Sequence, residues 1–75
     1  MTTKKKTATT TKESFGARLK AARRAVGLTQ GSLARRLNVT VYAVVRWERG
    51  DREPRLAMLR RLAAELKTPI GALTE

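Results

Sequence analysis

From residue 14 onward, apolar side chains recur at the spacing of amphipathic helices. Phe15, Leu19, Ala22 and Val26 fall at i, i+4, i+7 and i+11 on one face, with Arg18, Lys20 and Arg24 on the others. Ser14 is placed to cap that helix and Gly27 to stop it, which predicts a first helix over 14–26. Thr29 is a second capping residue. The helix it opens runs to Leu37, with Leu33, Ala34 and Leu37 inward. Further on, Pro54 stands in the first turn of a helix reaching Lys67, whose apolar face is Leu56, Leu59, Leu62, Ala63 and Leu66. Pro69 opens a short last helix carrying Ile70 and Leu73. Residues 1–12 break with this pattern. They hold Lys4, Lys5, Lys6 and Lys12 among six threonines, too little apolar surface to offset the entropy of ordering, and are expected to form a disordered basic arm.

The stretch Asn38–Trp47 pulls both ways. Val39, Val41, Ala43, Val45 and Trp47 alternate as in a strand, and their β-branched and aromatic side chains favour one. A single strand among four helices, however, would leave its backbone N–H and C=O groups unpaired. As a helix capped by Thr40, the same stretch turns Val44 and Trp47 inward at i, i+3. Val41, Tyr42, Val45, Arg46 and Arg49 then lie on the outer side. The helix is the expectation, giving five helices and no sheet in a single domain over 13–75.

Within QGSLARRLNVTVYAVVRWER, residues 30–49, the spacing is that of a helix-turn-helix. That motif needs apolar residues at its fourth, eighth, tenth, fifteenth and eighteenth places, here Leu33, Leu37, Val39, Val44 and Trp47. The fifth place lies where the two helices cross and must be small; it is Ala34. The ninth must accept a left-handed backbone, where Asn follows Gly in ease; it is Asn38. The flanks extend the match, with FGARLKAARRAVGLTQ leading in and VVRWERGDREP and LRRLAAELKTPIGAL leading out. From Phe15 to Leu73 the chain resembles the Cro and lambda-repressor type of helix-turn-helix domain, the XRE family. The resemblance implies an all-α, five-helix lambda-repressor-like fold whose third helix lies in the major groove of DNA.

The resemblance also implies roles for single residues. Gln30 matches the family glutamine at the start of helix two and would anchor a phosphate or a base. Arg46, outward on helix three, would bond O6 and N7 of a guanine. Val41, Tyr42 and Val45 join it as base contacts. Family members often carry amide or charged side chains at the start of this helix, so Val41 and Tyr42 shift readout toward the methyl groups of thymine. Thr29, Ser32, Arg49, Arg52 and Arg55 match phosphate-contact positions, where helix N-termini add oriented N–H donors. Thr40 is mainly a cap, placed at the phosphate backbone. Trp47 is core. Glu48 pairs by resemblance with Arg23 of the first helix, a structural salt bridge, while Arg60 and Arg61 face solvent away from DNA. Gly31 and Ser32 stand where the family usually has acids. Gly31 costs about 1 kcal/mol of helix stability against Ala, and the missing acids remove repulsion from phosphate.

Charge points to the same partner. Lys and Arg number 17 against 6 acids, a formal +11 over 75 residues, and such a field attracts polyanions and speeds encounter with them. Lys4, Lys5 and Lys6 resemble the basic arm that lambda repressor extends around its operator, and phosphate contact is expected of them. Charge by itself does not separate DNA from RNA or an acidic membrane; the motif does. The chain has neither Cys nor His, which removes the usual zinc ligands, the commonest general base and every His-based triad. Among the scattered acids only Asp51 and Glu53 are close, in a loop beside arginines. No catalytic residue, metal site or cofactor is expected. No apolar run approaches the ~20 residues that span a bilayer, and MTTKKKTATTTKES has no apolar stretch behind its charged start. Neither membrane insertion nor export is expected, and the expected place is the cytoplasm, on the nucleoid.

These readings imply a bacterial or phage transcriptional regulator, a repressor that binds a palindromic operator in double-stranded DNA as a dimer. No sensor domain fits in this length. In the family the last helix often makes the dimer contact; with Glu75 two residues after Leu73, a small and weak homodimer interface is expected there. The same fold also serves antitoxins, which bind a toxin protein and repress their own operon. A hydrophobic surface beyond the helix core would favour that alternative. The first helix is cationic and amphipathic enough for a membrane-active peptide, but its apolar face is needed for the domain core.

Overall fold

Three of the helices start on a side chain that the sequence supplies. In the computed structural model, which describes residues 14–74, Ser14 Oγ accepts from the Ala17 N–H and opens α1 (Phe15–Ala25). Thr29 Oγ1 accepts from the Ser32 N–H at 3.0 Å and opens α2 (Gln30–Leu37). Thr40 Oγ1 does the same for the Ala43 N–H, opening α3 (Val41–Arg49). Each satisfies an N–H that the first turn leaves without an intrahelical partner. Two more helices follow, α4 (Leu56–Glu65) and α5 (Ile70–Thr74), and no strand occurs among the described residues. The expected basic arm, residues 1–12, lies outside them.

The helices also end alike. Gly27, Asn38, Gly50 and Lys67 take left-handed backbones at the ends of α1 to α4. In each case the next N–H reaches back five residues, from Leu28 to Arg23, Val39 to Ala34, Asp51 to Arg46 and Thr68 to Ala63. These are Schellman closures, which use carbonyls the helix would otherwise leave open. Asn38 thereby makes the tight turn between α2 and α3 that the motif demands. Lys67, with φ of 55°, closes α4 without the freedom of glycine.

The helix expected with Thr40 as its cap is present as α3, against local propensity. Its inward Val44 and Trp47 are buried, together with Leu19, Leu33, Leu37, Leu62, Leu66 and Leu73. Burial of each large apolar side chain contributes about 1.5–3 kcal/mol, more than the propensity of three valines can oppose. α3 packs on both α1 and α2, α1 also meets α5, and α4 joins α2 and α5. The motif is therefore backed by the other three helices, and the far side of α3 is left to solvent.

Three expectations fail in detail. Pro54 does not stand in the first turn of α4: Arg55 is extended (ψ 164°), so the helix begins at Leu56 and ends at Glu65, short of Lys67. Leu56, expected in the core, is 59% exposed, because nothing covers the first turn of α4. Val26 is 38% exposed for a similar reason: it follows the last residue of α1, where the chain is already turning away. One packing feature escaped the pattern altogether. A Cβ added to Gly16 would collide with the carbonyl oxygen of Glu48 and lie 2.8 Å from its carbonyl carbon and 2.9 Å from the Trp47 oxygen. Gly16 is what lets α1 approach the backbone of α3 so closely.

Candidate nucleic-acid interface

The outer side of α3 carries Val41, 40% exposed, and Tyr42, 72% exposed. Val45 is half-buried, and Arg46 and Arg49 are exposed. Val41 and Val45 form one i, i+4 row and Tyr42 and Arg46 the next, so four candidate base contacts share one surface. The only acid on α3, Glu48, points the other way. Arg49 is drawn toward Asp51 at 3.5 Å, with both side chains mostly exposed; such a pair is weak and open to exchange for phosphate. No carboxylate among the described residues pairs with Arg46, Arg52 or Arg55. Tyr42, Val45, Arg46, Arg49, Asp51 and Arg52 line one open depression. Thr40 borders the adjoining one, and Arg55 lies further along, beside Pro54 and Met58.

At the start of α2 the polar residues are already engaged. Thr29 Oγ1 accepts from the Ser32 backbone and shares a 2.8 Å hydrogen bond with Ser32 Oγ. In that shared bond one hydroxyl uses its proton, and the other keeps its own free to donate to a phosphate. Gln30, expected to meet DNA directly, is half-buried and donates from Nε2 to Glu48 Oε1 at 3.0 Å. The sequence pattern did not reveal this bond, since it depends on how α2 and α3 cross. Lys4, Lys5 and Lys6 lie outside the described residues.

What holds this surface rigid is the layer beneath it. Arg23 donates from Nε to Glu48 Oε2 at 2.6 Å and from Nη2 to Oε1 at 3.2 Å, a two-pronged pair. Its Nη1 donates to the Leu28 carbonyl at 2.9 Å, which ties in the α1–α2 turn. The two side chains are only 9% and 4% exposed, so neither charge is at the surface and each is matched by the other. Arg60 and Arg61 are exposed on α4, and Arg61 reaches the Arg36 carbonyl at 3.5 Å, away from α3. No group of three or more His, Cys, Asp or Glu placed to hold a metal occurs among the described residues. No helix among them is long and apolar enough to cross a membrane.

Comparison with known proteins places this geometry. A helix-turn-helix family model matches residues 19–73. Among solved structures, the P22 c2 repressor in complex with a synthetic operator is 27% identical with a TM-score of 0.78, covering 83% of this chain and 94% of that one. The hydroxypropylphosphonic acid epoxidase from S. wedmorenis is 40% identical with a TM-score of 0.76, over 81% of this chain. This chain spans only 32% of the epoxidase. A comparison with curated proteins finds no match.

Proposed function

Because the chain belongs to the XRE-type helix-turn-helix family, we propose that it is a DNA-binding transcriptional regulator, a repressor that binds a palindromic operator as a dimer. The observation that carries this is the outer face of α3: exposed Val41, Tyr42 and Arg46 on a helix whose inner face is fixed by the buried Arg23–Glu48 pair. A helix held that way enters the major groove as a preset surface. Arg46 bonds a guanine edge, Val41, Tyr42 and Val45 meet base methyls, and Gln30 contacts a base or phosphate beside them. Thr29, Ser32, Thr40, Arg49, Arg52 and Arg55 meet phosphate, joined by Lys4, Lys5 and Lys6. Contact between two copies through α5 sets the half-sites about 34 Å apart. The likeness to a repressor bound to its operator supports this reading.

The epoxidase likeness supports a second reading, in which the same helical domain is one module of a larger, enzyme-bearing assembly and its chemistry lies elsewhere. Selection of the 75-residue protein on random duplex DNA separates the two. The regulator reading expects a two-fold symmetric sequence to be enriched. It also expects steep salt dependence: with 6–10 phosphates contacted, affinity falls roughly 10³–10⁵-fold between about 50 and 200 mM salt. No enriched sequence and a flat salt response would favour the module reading.

A further inference from the structure

Gln30 belongs to the proposed interface, yet its side chain is bonded to the interior: Nε2 donates to Glu48 Oε1 at 3.0 Å. We propose that Glu48, at 4% side-chain exposure out of reach of DNA, is a positioning residue that fixes which way round the Gln30 amide stands, and so what Gln30 offers to DNA. This rests on the DNA-binding reading above.

A glutamine amide keeps almost the same shape after a half-turn of its last torsion, but donor and acceptor change places. In solvent both orientations are populated. An ionised carboxylate only accepts, so Glu48 takes the amide nitrogen and repels the amide oxygen. The carboxylate cannot swing away to allow the other orientation. Arg23 holds both of its oxygens, at 2.6 and 3.2 Å, and the Leu28 carbonyl holds Arg23 in turn. Behind it, the Glu48 backbone lies close against Gly16. The bond to Gln30 is charge-assisted, and so stronger than a bond between neutral groups. What Gln30 keeps for a ligand is its Oε1 and its second N–H, in one orientation, set before DNA arrives. Binding then costs less in side-chain ordering than it would for a free glutamine. A network that holds the fold together thus also sets the polarity of one reading group.

Gln30 is the only glutamine and Asn38 the only asparagine in the chain, so nitrogen-15 NMR of the free protein contains just two side-chain amide groups. The parent is expected to show widely separated, slowly exchanging proton signals for Gln30. In Glu48→Gln, which keeps the shape but can accept or donate, they should collapse toward those of free glutamine. The second arm is a double-mutant cycle on the duplex that selection returns, run at a temperature where melting curves show every variant folded. Gln30→Ala is expected to weaken binding roughly tenfold beside Glu48 and less than about twofold in the Glu48→Gln background. If Glu48→Gln does not fold, Glu48→Asp, which keeps the charge but withdraws it by one methylene, takes its place with the same expectations. Equal costs of Gln30→Ala in both backgrounds, or free-glutamine signals in the parent, overturn the proposal. A parent that enriches no duplex overturns the DNA-binding reading itself, a result the NMR arm does not share.

Discussion

The two faces of α3 are built from similar residues and have opposite surroundings. Inward, Val44 and Trp47 are fully packed and Glu48 is locked to Arg23. Outward, Val41, Tyr42 and Arg46 touch little of their own chain. Hydrophobicity does not separate them, since valines stand on both sides. What separates them is angular position: Val44, Trp47 and Glu48, at i, i+3 and i+4, face α1 and α2, while Tyr42 and Arg46 lie on the opposite, exposed side. A helix that is apolar well beyond its core stripe carries side chains the fold does not need. That surplus supports the DNA-binding face proposed above.

The comparison predicts that damage to the inner face is a matter of stability. Glu48→Ala leaves the buried Arg23 charge without its counter-charge and should lower unfolding free energy by about 3–5 kcal/mol, read by denaturant or thermal unfolding. If Glu48→Ala melts like the parent, the buried pair is not what fixes α3. Next in size is Gly16→Ala. The added methyl has to push α1 off the α3 backbone, at a cost of about 1–3 kcal/mol, and an unchanged melting temperature would mean the crossing is looser than its geometry.

Damage to the outer face should leave melting unchanged and appear only with DNA. Replacing thymine by uracil at the contacted positions of the selected duplex removes a methyl from the groove. If Val41, Tyr42 or Val45 packs on that methyl, affinity should fall about fourfold per site, near the ~0.8 kcal/mol worth of one buried carbon. Uracil that binds as well as thymine everywhere would assign these side chains no part in readout. The smallest expected effect is a gain. Gly31, with only the Arg35 side chain and Thr29 Oγ1 near its missing Cβ, at 3.8 and 4.0 Å, has room for a methyl. Gly31→Ala should add about 0.5–1 kcal/mol to stability, the reverse of Gly16→Ala. A loss at both glycines would mean that local helix preference counts for little here.

Much of this fold was legible because it is local. Ser14, Thr29 and Thr40 announce helix starts, Gly27 and Asn38 announce ends, and the leucine spacing marks the buried stripe. α3 was legible only by elimination, since its valines favour a strand and the helix is imposed by what surrounds it. Pro54 misled because proline suits the first turn of a helix, while the extended backbone of Arg55 held the chain out of the helix for one more residue. Leu56 has the right spacing for the core but stands one turn too early to be covered. Gly16 and the Gln30–Glu48 bond were not legible at all. Both depend on how closely helices distant in sequence cross. A glycine within an otherwise amphipathic first turn, where alanine would be the better helix former, was the one hint available for the first.

The central claim is that the outer face of α3 reads bases while the arginines beyond it hold phosphate, and Arg46→Ala tests it most directly. The measurement is base preference by selection from random duplexes at fixed salt, with Arg52→Ala and Arg55→Ala alongside and melting curves for all. Arg46→Ala should melt with the parent, lose about 1–3 kcal/mol on the parent's preferred duplex, and relax preference at one base pair per half-site. Arg52→Ala and Arg55→Ala should keep every preference, weaken all duplexes alike, and lower the salt slope by about one for each phosphate no longer neutralised. An Arg46→Ala profile matching the parent's at every position would contradict the account.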